Sequence, residues 1–149
     1  MKQGQGKEYH ENVKHLKYEG LFVDDQYNDY NAKLYYKNGK LEYEGMFKNG
    51  LKHGKGVEYS RTGKILYTGG YVKGVRHCQY TKLFYPSGKV EYEGEIFEGM
   101  REGKGKEYNT EGDLVYEGDF YGDIPNGKGT FYYKTYPDVK EYEGAVKNG

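Results

Sequence analysis

EYEGMFKNGLKHGKGVEY, Glu42 to Tyr59, decides how this chain is read. Gly45, Gly50, Gly54 and Gly56 punctuate it, with His53 and lysines between them. Either this is a loop that cradles a phosphate, or it is how the chain turns and packs. A phosphate loop of the Walker A type needs four residues between its glycines and a Ser or Thr after its Lys. Here three residues separate Gly50 from Gly54, and Gly56 follows Lys55. The spacing also returns at Gly99, Gly103 and Gly105, which no single phosphate site requires. The glycines therefore read as structural: without side chains, they let an aromatic ring lie flat against the strand.

Working outward, Tyr-Glu-Gly recurs at Tyr18, Tyr43, Tyr92, Tyr116 and Tyr142, and Tyr67-Thr68-Gly69 fills the gap. The steps are 25, 24, 25, 24 and 26 residues. Two residues after the Gly stand Phe22, Phe47, Tyr71, Ile96, Phe120 and Val146. Nine and eleven residues after it stand Gly54 and Gly56, Gly103 and Gly105, and Gly127 and Gly129. Gly4, Gly6 and Tyr9 match the second half of an earlier unit. Above this lies a period of 49 residues, Tyr18 to Tyr67 to Tyr116, so the units alternate between two types.

Within each unit the periodicity is two. Leu41, Tyr43, Gly45 and Phe47 alternate with Glu42, Glu44, Met46 and Lys48. That pattern predicts a half-buried strand, since a helix would scatter the aromatics around its circumference. Asn38-Gly39, Asn49-Gly50, Ser87-Gly88 and Asn126-Gly127 mark expected turns. Each unit is then a β-hairpin, and the whole an antiparallel meander of about twelve strands. The expected core is an aromatic stripe of Tyr18, Phe22, Tyr43, Phe47, Tyr67, Tyr71, Tyr92, Tyr116, Phe120 and Tyr142. Ordering a lone hairpin costs roughly 1–2 kcal/mol per residue in backbone entropy, against roughly 1.5–3 kcal/mol per buried aromatic. Only stacked units hold together.

Composition agrees. The 149 residues include 20 Tyr, 6 Phe and 24 Gly, with only 3 Pro. Charged content of 31% leans toward disorder, but this aromatic wealth argues against it. One cysteine, Cys78, excludes an internal disulfide and a Cys-based zinc cluster. No apolar run approaches a membrane span and the N-terminus does not read as a signal peptide, so the expected location is cytoplasmic.

At these residues the chain resembles the MORN repeat family. The motif YEGxFxxGxxxGxGxxY is clearest at Tyr43 to Tyr59 and recurs less closely at Tyr92 to Tyr108. The resemblance covers nearly the whole chain and is nearest to the variant, slightly longer repeats. The departures are Asp29 with Asn31, and Cys78 with Tyr80, where other units carry paired glycines. The resemblance implies one elongated, single-layer sheet over residues 1–149, with incomplete repeats at both ends. It also implies non-catalytic roles: scaffolding, dimerisation, and placing proteins at cytoskeletal, ciliary or membrane-adjacent sites, with phospholipid binding proposed for some members.

The residues offer little chemistry of their own. His10, His15, His53 and His77 lack zinc spacing. His77 and Cys78 are adjacent, so on a strand they point to opposite faces. Ser60 and Ser87 fall at expected turns. The recurring Glu19, Glu44, Glu93, Glu117 and Glu143 read as a solvated face. No enzyme activity, cofactor, metal or nucleic-acid partner is expected. Charge is less uniform. Tyr59 to Val90 holds no acid and six bases: Arg61, Lys64, Lys73, Arg76, Lys82 and Lys89. Glu91 to Asp123 holds eleven acids and three bases, a net of −8. The basic band is the candidate contact for an acidic partner or anionic phospholipid, and self-association of opposite bands or open sheet edges is a further option. The leading expectation is a protein-interaction scaffold. The alternative is a peripheral membrane module using the band from Arg61 to Lys89.

Overall fold

The computed structural model describes residues 1–133 and 139–149. They form fourteen antiparallel strands in one open sheet and no helix, the all-β meander of hairpins read from the sequence. The chain divides into two compact units, Met1–Val75 and Arg76–Gly149. The first holds β1 (Gly4–Tyr9), β2 (Leu16–Val23), β3 (Gln26–Tyr27), β4 (Ala32–Tyr35), β5 (Leu41–Lys48), β6 (Leu51–Tyr59) and β7 (Ile65–Val72). The two-residue β8 (Val75–Arg76) falls at the division. The second holds β9 (Cys78–Phe84), β10 (Val90–Phe97), β11 (Met100–Tyr108), β12 (Leu114–Tyr121), β13 (Ile124–Tyr132) and β14 (Lys140–Val146). The short β3 and β8 are the two strands beyond the expected twelve.

Two kinds of turn alternate. At one end of the strands are two-residue turns with both residues at positive φ: Asn49-Gly50 (51° and 77°), Lys73-Gly74 (50° and 86°), Glu98-Gly99 (50° and 87°) and Gly122-Asp123 (56° and 72°). This type I′ geometry matches the right-handed twist of the flanking strands. At the other end are wider turns, in which Tyr36, Ser60, Tyr85 and Asn109 donate their backbone N–H to Lys40, Lys64, Lys89 and Asp113 O. The sequence misplaces one turn. Asn126-Gly127 lies inside β13, where the register slips between Gly118 and Phe120. The turn itself is Gly122-Asp123, because the hairpin pairs Tyr121 with Ile124.

Among the described residues the sheet has no second layer of strands or helices packed on it, so its core is made on one face. Tyr18, Tyr43, Tyr67, Tyr92 and Tyr116 are 0% exposed. Each ring lies along the sheet, and its hydroxyl donates to a carbonyl three residues on: Leu21, Met46, Gly70, Glu95 and Asp119. The phenol is thus buried without an unmet hydrogen bond, which would otherwise cost about 1–3 kcal/mol. The paired strand makes room. Gly45 faces Gly56, Gly94 faces Gly105 and Gly118 faces Gly129 in the register, and a Cβ at Gly56, Gly105 or Gly129 would overlap the Tyr43, Tyr92 or Tyr116 ring. Phe47 meets Tyr43 edge to face at 5.2 Å, and Phe120 meets Tyr116 in the same way at 5.2 Å. Phe22, Tyr71 and Ile96 fill the equivalent places and are also buried.

The units without paired glycines keep the same plan by a one-residue displacement. Asn31 and Tyr80 stand where the second glycine is expected, yet the residue that faces Gly45 is Ala32, and Thr81 faces Gly94. Ala32 and Thr81 are buried while Tyr80 is 87% exposed. Both of these units are 25 residues long rather than 24. The extra residue is taken up before the small one, which restores the close approach.

Tyr142 is the exception in the stripe. Its hydroxyl still donates to Ala145 O, but it is 46% exposed. No further strand lies beyond β14 among the described residues to cover its ring.

Candidate functional site

Within the first unit, bases of the candidate band lie at the two ends of one strand. Arg61 and Lys64 belong to the wide turn before β7, and Lys73 to the tight turn after it. Nine residue steps along β7 at about 3.3 Å each put Lys64 and Lys73 about 30 Å apart, nearly four Debye lengths at physiological salt. In the second unit Arg76 precedes β9, Lys82 lies within it and Lys89 precedes β10. Several are also engaged locally. The Arg61 guanidinium lies 5.8 Å from the centre of the Tyr36 ring. Lys82 pairs with Glu93, which holds its ammonium above the usual lysine range. Lys89 Nζ donates to Glu111 O on the neighbouring turn.

The recurring glutamates do face solvent on the side away from the tyrosines, but they are paired. Lys7 with Glu19 (3.1 Å), Lys33 with Glu44 (3.7 Å), Lys82 with Glu93 and Lys106 with Glu117 (3.1 Å) form a cross-strand ladder at register-matched positions. Opposite charges directly across a strand pair contribute roughly 0.2–1 kcal/mol each. The Lys82 hydrogen bond holds the Glu93 carboxyl below its ordinary range. These carboxylates are structural partners rather than acid–base groups.

Sequence reading missed a second charged device on the tyrosine face. Lys2–Glu8 (2.6 Å), Lys52–Glu58 (2.6 Å) and Arg101–Glu107 (2.9 Å) occupy one repeat position in alternate units. Arg101 also reaches Glu91, and Lys52 and Arg101 lie 4.8 and 5.0 Å from the Tyr43 and Tyr92 ring centres. In each pair the cation lies over an aromatic ring, Lys2 over Phe22, Lys52 over Tyr43 and Arg101 over Tyr92. The signal was present in the sequence, since Lys52 and Arg101, like Glu58 and Glu107, are 49 residues apart.

Exposed apolar residues collect beside the tight turns, on the face opposite the tyrosines. In the first unit these are Leu51, Val72 and Val75; in the second they are Phe97, Met100, Tyr121 and Ile124. Phe97 pairs with Met100, and Tyr121 with Ile124, across their hairpins. Phe97, Met100 and Tyr121 line an open depression of about 700 Å³ together with Glu95, Glu98 and Glu102. His77 stacks at a tilt on Phe97 with ring centres 4.6 Å apart. His77 and Cys78 both line this depression, which corrects the expectation of opposite faces: β9 begins at Cys78, so His77 lies outside the strand and escapes its alternation. Among the described residues no group of three or more His, Cys, Asp or Glu is placed to hold a metal ion.

Comparison with known families agrees with this geometry. The MORN repeat matches residues 43–65, 92–114 and 116–136, and the MORN repeat variant matches residues 31–49 and 80–96. The variant falls on the two units with the displaced small residue, Ala32 and Thr81. No curated protein matches the sequence. With matches to both repeat forms spread along the sheet, and the same hairpin repeated in every unit, the chain belongs to the MORN repeat family.

Proposed function

We propose that this chain is a non-catalytic scaffold that mediates protein–protein interaction or assembly, of the kind that serves at cytoskeletal, ciliary or membrane-adjacent sites. The observation that carries the reading is that each unit, taken by itself, exposes apolar side chains beside its tight turns: Leu51, Val72 and Val75 in the first, and Phe97, Met100, Tyr121 and Ile124 in the second. The tyrosine face satisfies itself, ring on glycine and hydroxyl on carbonyl. The opposite face leaves these apolar groups in water, where contiguous apolar surface marks an interaction site. The placement of Lys64 and Lys73 at opposite ends of β7 favours the scaffold over the phospholipid alternative, because a headgroup surface is held best by adjacent cations.

Vesicle flotation together with affinity capture tests the reading. The chain is expected not to float with neutral or anionic vesicles at physiological salt, and to capture proteins through contacts that Phe97→Lys and Leu51→Lys weaken. Flotation with anionic vesicles that is abolished in the Lys73/Arg76/Lys82→Glu variant would replace the scaffold with the membrane reading.

A further inference from the structure

Accepting the scaffold reading, we infer that the depression beside the Glu98-Gly99 turn takes a basic peptide segment bearing an apolar anchor residue. Its floor is apolar, with Phe97 51%, Met100 41% and Tyr121 67% exposed. Its rim is acidic, with Glu95, Glu98 and Glu102. Charge complementarity to this rim identifies the occupant.

The bases of this segment are spent elsewhere. Arg101 binds Glu91 and Glu107, Lys104 binds Asp119 and Lys106 binds Glu117. Among the described residues Glu95 and Glu102 receive backbone N–H groups, from Lys104 and Gly122, and pair with no basic side chain. Asp123, in the next tight turn, receives the Arg101 N–H. The uncompensated charge thus concentrates around the apolar floor.

Glu95 and Glu102 are also direct register partners on β10 and β11. Like charges directly opposite each other are unfavourable. In neighbouring hairpins the same two positions hold Met46 with His53, or Asp119 with Asn126, so the repeat plan does not demand two acids here. A Lys or Arg placed between the two carboxylates relieves that repulsion, while an adjacent Leu, Ile or Phe covers Phe97 and Tyr121. An acidic peptide is repelled by the same rim, and an anionic membrane likewise.

The test pans the full chain against a random dodecapeptide library and measures the enriched peptides by fluorescence anisotropy. Two variants keep the fold safe, because they place residues the repeat already carries at the same positions: Phe97→Lys, as at Lys48, and Glu98→Lys, as at Lys73, where φ is also 50°. Enriched peptides are expected to combine Lys or Arg with a large apolar residue. Phe97→Lys should weaken them by about tenfold, as loss of a central anchor does. Glu98→Lys should weaken them by about threefold or more, with affinity falling as salt rises. No enrichment, enrichment of peptides lacking bases, or affinities unmoved in both variants overturns the assignment. Of these, peptides that bind but ignore both variants leave the scaffold reading standing. Failure of the library together with failure of capture from lysate removes both.

Discussion

Replacing Gly56 by Ala tests how this sheet makes a core. Gly56 is not among the positive-φ residues, so a methyl group meets no left-handed strain. What it meets is the Tyr43 ring, which its Cβ would overlap. The ring is fully buried and has little room to yield: Phe47 and Tyr71 contact it edge to face at 5.2 and 5.4 Å, and Lys52 roofs it. Overpacking a tight core costs about 1–3 kcal/mol when neighbours shift. Expelling the ring costs about 3–5 kcal/mol, as truncating a buried aromatic does, and also sacrifices the hydroxyl bond to Met46 O. The expected loss is therefore about 3 kcal/mol or more, or about 6–12 °C in Tm at 2–4 °C per kcal/mol. Urea and thermal unfolding, followed by tyrosine fluorescence and circular dichroism, read it. The decisive arm is the double-mutant cycle. In a Tyr43→Ala background the methyl group has space, so Gly56→Ala should then cost less than about 1 kcal/mol, giving a coupling of about 2 kcal/mol. A Gly56→Ala chain within about 0.5 kcal/mol of the parent, or effects that simply add, would refute the account of ring on glycine.

Three further expectations follow the same physics. Tyr116→Ala should cost about 3–5 kcal/mol, whereas Tyr142→Ala, at a ring already 46% exposed, should cost less than about 1 kcal/mol in the same unfolding assays. Arg101→Ala should destabilise by about 1–2 kcal/mol, because Glu91 and Glu107 lose their shared partner above Tyr92, while Lys106→Ala, on an exposed ladder pair, should change stability by less than about 0.5 kcal/mol. Stability should fall at both ends of the pH scale. Burial holds the Tyr18, Tyr43 and Tyr92 phenols well above their ordinary value, so their contribution is complete below about pH 10 and is lost as pH rises beyond it. The Lys82 and Lys104 hydrogen bonds hold Glu93 and Asp119 below their ordinary values, so that contribution is present above about pH 4 and is lost as pH falls through the lowered values. A pH series of Tm with tyrosinate absorbance checks this; phenols that ionise before unfolding would contradict it.

Much of this protein was legible in the sequence because its packing is local. Tyr43, Gly45 and Phe47 lie on one strand, and Gly54 and Gly56 on the next, so a period of two and a step of 24 or 25 residues encode both the hairpin and its core. Side chains that meet within one repeat must recur with the repeat. For the same reason the spacing argument alone excluded a phosphate loop at Gly50 to Gly56. Register and sheet face were decided only by tertiary structure. A single-residue offset, invisible to a motif that counts from Tyr-Glu-Gly, moves the small residue from Asn31 and Tyr80 to Ala32 and Thr81. The basic band shows the limit most clearly. Arg61 to Lys89 is contiguous in charge along the chain, but a strand of eight residues separates what the sequence joins, placing Lys64 and Lys73 at opposite ends of β7. Conversely, the fold gathers Phe97, Met100 and Tyr121 with Glu95, Glu98 and Glu102 around the tight turns, because antiparallel pairing brings residues of successive hairpins side by side.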